Sequence, residues 1–404
     1  MITLQQIEEV IVSQNEHWRK KAVGVQRDSL SGIKVHENFA QIITGIRRCG
    51  KSTLLLQLMS KKHQTALFLN FEDPRLAGFE QDDFRRLDEA IKNTKSRYLL
   101  FDEIQMLSNW ELYVRQKLDE NYLVVVTGSN ATLLSRELGT KLTGRHLSAE
   151  LFPFSYKEYL QLKKKKDSLQ TLKSYLTEGG FPEFLKTGEP AVLHQLLDDI
   201  LLRDIAVRYG VRDTNSLRQL AVYLISNIGK PVSATNLSKL FNIKAVSTVL
   251  EYFSHLEDAY LLQFVPKFSY SLQTQIRNPK KVYAIDLGLF THNSITFSEE
   301  QGRRLENCVY LHFRRQGKEL FYYNEKKECD FIVLDKGKVE RAVQVCYEIN
   351  ADNLQREIDG LMDALLFFNL KKGYIITLNQ TDVYRKEGKE IKLMPINELL
   401  LEEI

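Results

Sequence analysis

Gly45-Ile46-Arg47-Arg48-Cys49-Gly50-Lys51-Ser52 decides how the rest of the chain is read. The octapeptide fits the spacing G-x-x-x-x-G-K-[ST]. It lies between an apolar run, Phe39-Ala40-Gln41-Ile42-Ile43-Thr44, and a helix-compatible stretch from Lys51 to Met59. Strand, glycine-rich turn and helix, in that order, make a phosphate cradle. The glycines let the loop curl so that successive backbone N–H groups face one centre, and the helix amino terminus adds partial positive charge. On this reading Gly45, Ile46, Arg47, Arg48, Cys49, Gly50, Lys51, Ser52 and Thr53 wrap a triphosphate. Lys51 then reaches the β- and γ-phosphates, and the Ser52 hydroxyl ligates Mg²⁺.

Outward from the loop, three more short apolar runs read as strands: Ala66 to Phe71, Arg97 to Asp102 and Tyr122 to Thr127. Helix-compatible sequence separates them. Strands buried on both faces and spaced by helices predict an α/β fold, the parallel sheet of a P-loop NTPase. The run ending Phe101-Asp102-Glu103 places two acids at a strand tip. A carboxylate there suits the magnesium shell, the role expected of Asp102, and Glu103 is placed to polarise an attacking water. The alternative, a solvated turn, is weakened by the loop upstream. Asn130, just past the next run, reads either as a sensor of the γ-phosphate or as a helix N-cap. Arg145 opens the following strand; its guanidinium suits transition-state charge, though a plain surface arginine explains it as well.

With Asn70-Phe71-Glu72-Asp73-Pro74-Arg75, Phe101-Asp102-Glu103-Ile104-Gln105 and Gly128-Ser129-Asn130-Ala131, the loop resembles the prokaryotic AAA+-type ATPases whose P-loop core precedes a carboxy-terminal domain of unknown function. The resemblance continues through Leu151-Phe152-Pro153-Phe154-Ser155, Gly179-Gly180-Phe181-Pro182-Glu183 and Arg203-Asp204-Ile205, and so covers most of the chain. It implies ATP as ligand and Mg²⁺ as cofactor. ATPases of this type often complete a site with a neighbour's arginine, which leaves oligomerisation open.

Four domains are expected: an ATPase core (1–155), a helical lid (156–215), a winged helix (216–290) and a C-terminal α/β domain (291–404). In the third, Val232 to Phe241 and Lys244 to Leu256 read as a helix-turn-helix, with a wing loop holding Arg277, Lys280 and Lys281. It would offer Lys244, Ser247 and Thr248 to DNA, or else serve as a packing module that meets a protein partner. From about residue 303 the element order resembles the PD-(D/E)xK nucleases. Glu306, Asp330 and Gln344 would supply oxygens to a second metal. Cys346 stands at the lysine position, where a thiol provides no fixed positive charge. Lys326 or Lys327 could replace it only in space, so a degenerate domain that docks a protein partner is expected.

The 404 residues, 43% hydrophobic, suffice for several cores. A formal charge of +4 excludes a polycation that coats nucleic acid. The four scattered cysteines form no zinc or disulfide spacing. No signal-peptide plan and no membrane-length apolar run is found, so a cytoplasmic location without membrane contact is expected. The functional expectation is Mg²⁺-dependent ATP binding and hydrolysis coupled to conformational change in the later domains. Its rivals are an ATP-gated switch with slow turnover and an ATP-controlled DNA-binding or nuclease effector.

Overall fold

The computed structural model describes residues 2–61, 65–129, 142, 144–295 and 300–402. Its contacts divide the chain into two compact units, Met1–Phe152 and Pro153–Ile404. The segments 156–215, 216–290 and 291–404 all fall within the second.

The first unit is built on five parallel strands, β1 (Ala40–Thr44), β2 (Leu67–Asn70), β3 (Tyr98–Asp102), β4 (Leu123–Gly128) and β5 (His146–Glu150), in the order β2-β3-β4-β1-β5. Every residue of β1 and β4 is buried. That burial is why both read as unbroken apolar runs, since helices cover the two faces of a parallel sheet. Helices α1 (Leu4–Lys20), α2 (Lys51–Lys61), α3 (Asp83–Thr94) and α4 (Trp110–Asp119) do the covering. Ile7, Val10 and Ile11 of α1 join one core with Leu67 and Leu69 of β2 and Leu99 and Phe101 of β3.

Strand β2 forms one edge of that sheet, and side-chain amides stand in for the missing neighbour strand. Asn15 Nδ2 donates to Phe68 O (2.8 Å), and Phe68 N donates to Asn15 Oδ1 (3.0 Å). Gln14 repeats the exchange at Asn70, with bonds of 3.1 and 2.7 Å. The edge is thereby closed to a foreign strand.

In the second unit helices follow one another from Tyr156–Lys163 to Pro190–Asp199, the last running on as a π-helical stretch, Ile200–Val207. The break at Gly179-Gly180 has a cause in packing. A Cβ on Gly180 would lie 2.3 Å from Phe154 O, so the two backbones meet closely there. The fully buried Asp286 carboxylate accepts from Gly180 N (2.6 Å), Gly288 N (2.8 Å) and Leu289 N (3.1 Å). Helices Thr214–Ser226, Ala234–Leu240 and Val246–Asp258 come next, with a three-stranded antiparallel sheet, β6 (Pro231–Val232), β7 (Leu262–Val265) and β8 (Lys280–Ala284), in the order β6-β8-β7. Between β7 and β8 the chain forms a helix, Leu272–Arg277, and Lys280 and Lys281 belong to β8 rather than to the expected wing loop.

Past residue 300 helix Gln301–Arg315 leads into β9 (Glu319–Asn324), β10 (Glu328–Asp335) and β11 (Lys338–Val345). Helix Leu354–Phe367 and β12 (Lys372–Thr377) follow, and then two strands that were not anticipated, β13 (Asp382–Lys386) and β14 (Lys389–Pro395). These six strands form one mixed sheet in the order β13-β14-β12-β11-β10-β9. Pairing of β10 with β9 slips between Cys329 and Ile332, a bulge that falls on Asp330. Bulges of this kind re-aim a side chain.

Candidate nucleotide site

The registers of the parallel sheet align the site. Asn70 pairs with Asp102, Phe101 with Val126, Ile43 with Thr127 and Thr44 with Gly128. Asn70, Asp102, Thr127 and the start of the Gly45 loop therefore stand in a row along the carboxyl edge of the strands, where ligands of open α/β sheets bind. Gly45 has φ +147°, and a Cβ there would sit 2.1 Å from Leu151 O, so a side chain is excluded. Ile46 and Cys49 are buried and fix the loop from inside, while Arg47 lies 3.7 Å from Glu72. Burial also raises the Cys49 thiol above its usual range, which keeps it neutral. Arg48 turns the loop at φ 62°. Lys51, Ser52 and Thr53 open α2.

Lys51 is folded back on its own loop. Its Nζ donates to Gly45 O (3.0 Å) and Ile46 O (3.2 Å) and lies 3.9 Å from Glu103 Oε1. Its side chain is only 3% exposed, so this ammonium is held by neutral carbonyls and one looser carboxylate.

Asp102 is wholly buried. The Thr127 hydroxyl donates to its Oδ1, and Asn70 Nδ2 donates to its Oδ2 at 3.2 Å. Thr127 Oγ1 in turn accepts from Glu103 N (3.1 Å), so one side chain from β4 ties the two acids together. Burial and the neighbouring Glu103 push the Asp102 carboxyl up to about 6, while Thr127, Ser52 and Lys51 pull it down. A hydroxyl and a carboxylate in contact are the hard oxygen set that Mg²⁺ takes when phosphates and water complete its shell. Asp102 and Ser52 thus fit the ion, and a cation there would relieve the carboxylate's desolvation.

Glu103 itself sits in the left-handed region, φ 51°, and the chain then enters a turn, Ile104–Met106. Gln105 Nε2 donates to Glu103 Oε2 and lies 3.5 Å from Ser129 Oγ.

Arg145 is not brought to this site. It precedes β5, whose first residue, His146, pairs with Ala40 at the amino edge of β1. Five strand residues, at about 3.3 Å each, separate that edge from the loop. Arg145 instead donates to Asp119 Oδ1 (2.6 Å) and Asn38 O (3.2 Å). Asn130 lies outside the described residues. Arg27 carried no signal in the sequence, yet it braces the loop by donating to Cys49 O (2.8 Å) and Phe152 O.

The three residues expected around a second metal do gather in the second unit, but an ammonium stands among them. Lys281 Nζ lies 2.8 Å from Asp330 Oδ1, 2.8 Å from Glu328 Oε1 and 3.2 Å from Glu306 Oε1. Burial acts to lower the Lys281 pKa, but Asp330 and Glu306 outweigh it and hold the ammonium well above its usual range. Tyr283 OH also donates to Glu306 Oε1 (2.7 Å). Gln344 faces away from any cation: its Oε1 accepts from Asp330 N (3.2 Å) and its Nε2 donates to Glu357 Oε2 (2.6 Å). The Cys346 thiol, pushed up to about 11 by burial, donates to Glu348 O. Backbone N–H groups of Lys326 and Lys327 bind Asp363. Among the described residues, no group of three or more His, Cys, Asp or Glu side chains is arranged to hold a metal ion, and no helix is long and apolar enough to cross a membrane.

Comparison with known proteins agrees with the loop and its sheet. Residues 37–160 match the family described as AAA domain, and residues 169–300 match a domain of unknown function (DUF8612). The uncharacterized protein MJ1544 of Methanocaldococcus jannaschii is 35% identical over 396 residues, covering 90% of this chain and 87% of its own length. An uncharacterized protein of Haemophilus influenzae is 31% identical over 347 residues, covering 80% of this chain and 86% of its own. Among solved structures, Cdc6p from Pyrobaculum aerophilum is 14% identical with a TM-score of 0.27, covering 65% of this chain and 86% of that one, a likeness too slight to argue from. The chain belongs to the family of MJ1544, with an AAA-type P-loop domain in its first part and the domain of unknown function after it.

Proposed function

We propose that the chain binds ATP with Mg²⁺ on the loop from Gly45 to Thr53 and hydrolyses it, and that nucleotide state governs the segments beyond residue 155. The observation that carries this reading is the hydrogen-bonded row at the carboxyl edge of the sheet. Ser52, Asp102, Thr127 and Glu103 form a connected set, and Lys51 lies 3.9 Å from its outer carboxylate. Entering phosphates compete for Lys51 against two neutral carbonyls, and a charge-assisted bond wins that exchange. Mg²⁺ beside Ser52 and Asp102 would neutralise charge on the phosphate oxygens. Loop N–H groups hold the triphosphate in place, and Glu103, fixed through its own N–H by Thr127, orients the water that attacks the γ-phosphorus.

Titration calorimetry and a phosphate-release assay test the reading. Lys51→Ala should show no heat with Mg²⁺–ATP. Glu103→Gln should bind it normally yet turn over roughly 100-fold or more slowly. Wild-type hydrolysis in both variants ends the proposal.

For the region past residue 291 we propose a nuclease-type arrangement that performs no phosphodiester chemistry, because Lys281 satisfies the carboxylates a metal would need. For 216–290 we propose a winged helix that meets a protein. Helix Val246–Asp258 exposes Val246 (37%) and Leu250 (51%) beside Ser247, a mixture poorly suited to phosphate contacts. DNA affinity that falls steeply with salt would contradict this.

A further inference from the structure

Between β7 and β8 the chain leaves the sheet and builds an apolar ridge that faces solvent. Helix Leu272–Arg277 buries none of its residues. Leu272 and Ile276, four apart and so on one face, are 69% and 67% exposed, and Tyr270 just before them is 83% exposed. The base of the ridge is nonetheless fixed. Gln275 Nε2 donates to Ser269 O (2.7 Å), and buried Phe268 packs edge-to-face on Phe321 and Phe368, with ring centres 5.6 and 4.7 Å away. The Tyr270 ring stacks beside that of Phe367, 6.1 Å between centres and 27° between planes. Phe367 ends helix Leu354–Phe367 and is itself half-exposed. Apolar surface held in place yet left open marks an interaction site.

The charges around the ridge have a sign. Asp363, one turn before Phe367, accepts from Lys326 N (3.2 Å) and Lys327 N (3.1 Å), which brings the β9–β10 turn alongside. Glu325 in that turn is already paired with Lys267 at 3.0 Å. Arg277, Lys326 and Lys371 are exposed and make no ion pair among the described residues. The acids are engaged within the fold, and the cations remain free.

We propose that Tyr270, Leu272, Ile276 and Phe367 form a docking surface for an acidic segment of a partner protein. Aliphatic and aromatic side chains of that segment cover the ridge, and its carboxylates meet Arg277, Lys326 and Lys371. The aliphatic pair decides against a nucleic-acid strand: bases stack on rings, and Leu272 and Ile276 give a base nothing to stack on. Three free cations are also few for a run of phosphates. The surface uses other elements than helix Val246–Asp258, and it does not depend on the ATPase reading.

Fluorescence anisotropy on the full chain tests this with two labelled peptides of about 14 residues. One interleaves Glu and Asp with Leu and Phe; its twin carries Lys and Arg in place of the acids. The acidic peptide should bind about tenfold or more tightly than its twin, by a margin that shrinks with salt. Tyr270→Ser should weaken it about tenfold, and Arg277→Glu with Lys326→Glu should reverse the preference between the twins. These side chains are exposed, so thermal midpoints of the variants should stay at the wild-type value. Equal binding of the twins, no saturable binding of either, or affinity indifferent to the variants overturns the proposal. So does a single-stranded oligonucleotide of about 20 nucleotides that binds the surface more tightly than the acidic peptide and is lost in Tyr270→Ser. Self-association that Tyr270→Ser abolishes would give the face to a second copy of the chain, and the partner reading would fall.

Discussion

Each unit of the molecule buries a lysine at the site where the sequence suggested a metal or a nucleotide, Lys51 in the first and Lys281 in the second, and the two have opposite uses. Lys51 is 3% exposed and Lys281 2%, so burial does not distinguish them. Their partners do. Lys51 is satisfied by two carbonyls of its own loop, with a single carboxylate at 3.9 Å. Lys281 is locked by three carboxylates at 2.8 to 3.2 Å. An ammonium held by neutral groups is free to meet an incoming anion; one whose charge is already cancelled has nothing left to offer. The aspartates divide the same way. Burial pushes Asp102 and Asp286 each up to about 6. Asp102 leans on side-chain donors that a cation can displace, whereas Asp286 is bound by three backbone N–H groups that cannot leave. Charge balance, not burial, separates a binding site from a structural one.

The largest expected effect comes from treating the two lysines alike. Lys281→Met leaves the buried Glu306 and Asp330 carboxylates facing one another without their cation, beside the half-exposed Glu328, and should destabilise the protein by about 3–5 kcal/mol. Lys51→Met loses only bonds to carbonyls, worth about 1 kcal/mol, and should abolish nucleotide binding while the fold persists. Denaturant unfolding of both variants, followed beside calorimetry with Mg²⁺–ATP, checks the pair. Adding Glu306→Gln to Lys281→Met should recover part of the loss. Equal losses of stability in the two single variants would break the comparison.

How much of this was legible in the sequence follows the same division. The parallel strands and the loop could be read because fully buried strands are continuous apolar runs, and because the loop's glycines and lysine have a local reason to be there. Asp102 and Glu103 were readable as a strand tip. Arg145 was read as opening a strand; it lies just before β5, and that placement puts it at the edge away from the loop, since parallel strands all start on one side. Arg27 and Gln14 are ordinary polar residues whose roles come from distant neighbours, and nothing in their spacing marks them. Lys281 was read where a wing loop meets its strand, and its burial could not be foreseen because the acids that hold it, Glu306, Glu328 and Asp330, lie far along the chain. Strands β13 and β14 escaped because Arg385, Lys386, Lys389 and Lys392 interrupt the apolar pattern, as charges commonly do toward a sheet edge.

A smaller effect separates the two aspartates. Asp286→Asn turns an amide N–H toward backbone N–H groups, and about 2–3 kcal/mol of stability should be lost. The pH dependence has a definite sign. Asp286 titrates near 6 in the folded chain and at 3.8 without the fold, so the native state binds the proton more tightly. From this group, stability rises as pH falls from about 7 through 6 toward 3.8 and levels off below, a gain of order 2–3 kcal/mol. Asp286→Asn should lack that slope when unfolding midpoints are compared between pH 7.5 and pH 5. An identical slope in the variant would show that the carboxylate's burial does not set the local energetics, and the contrast with Asp102 would lose one half.

The smallest effect concerns how the first unit positions its aspartate. Gln14 holds Asn70 through its backbone N–H and carbonyl, and Asn70 Nδ2 donates to Asp102. Asn15 makes the same kind of exchange at Phe68, two residues farther from the site. Gln14→Ala and Asn15→Ala should therefore cost similar stability, about 1–2 kcal/mol each. Only Gln14→Ala frees Asn70 to shift, and it should weaken Mg²⁺–ATP binding by about threefold, or about 0.7 kcal/mol. Asn15→Ala should leave affinity unchanged. If both variants weaken binding equally, the site responds to the general stability of the edge strand, and the side-chain support of Asp102 carries no specific information. If only Gln14→Ala does so, then β2 belongs to the nucleotide site through one amide, a link that the backbone-held Asp286 has no need of.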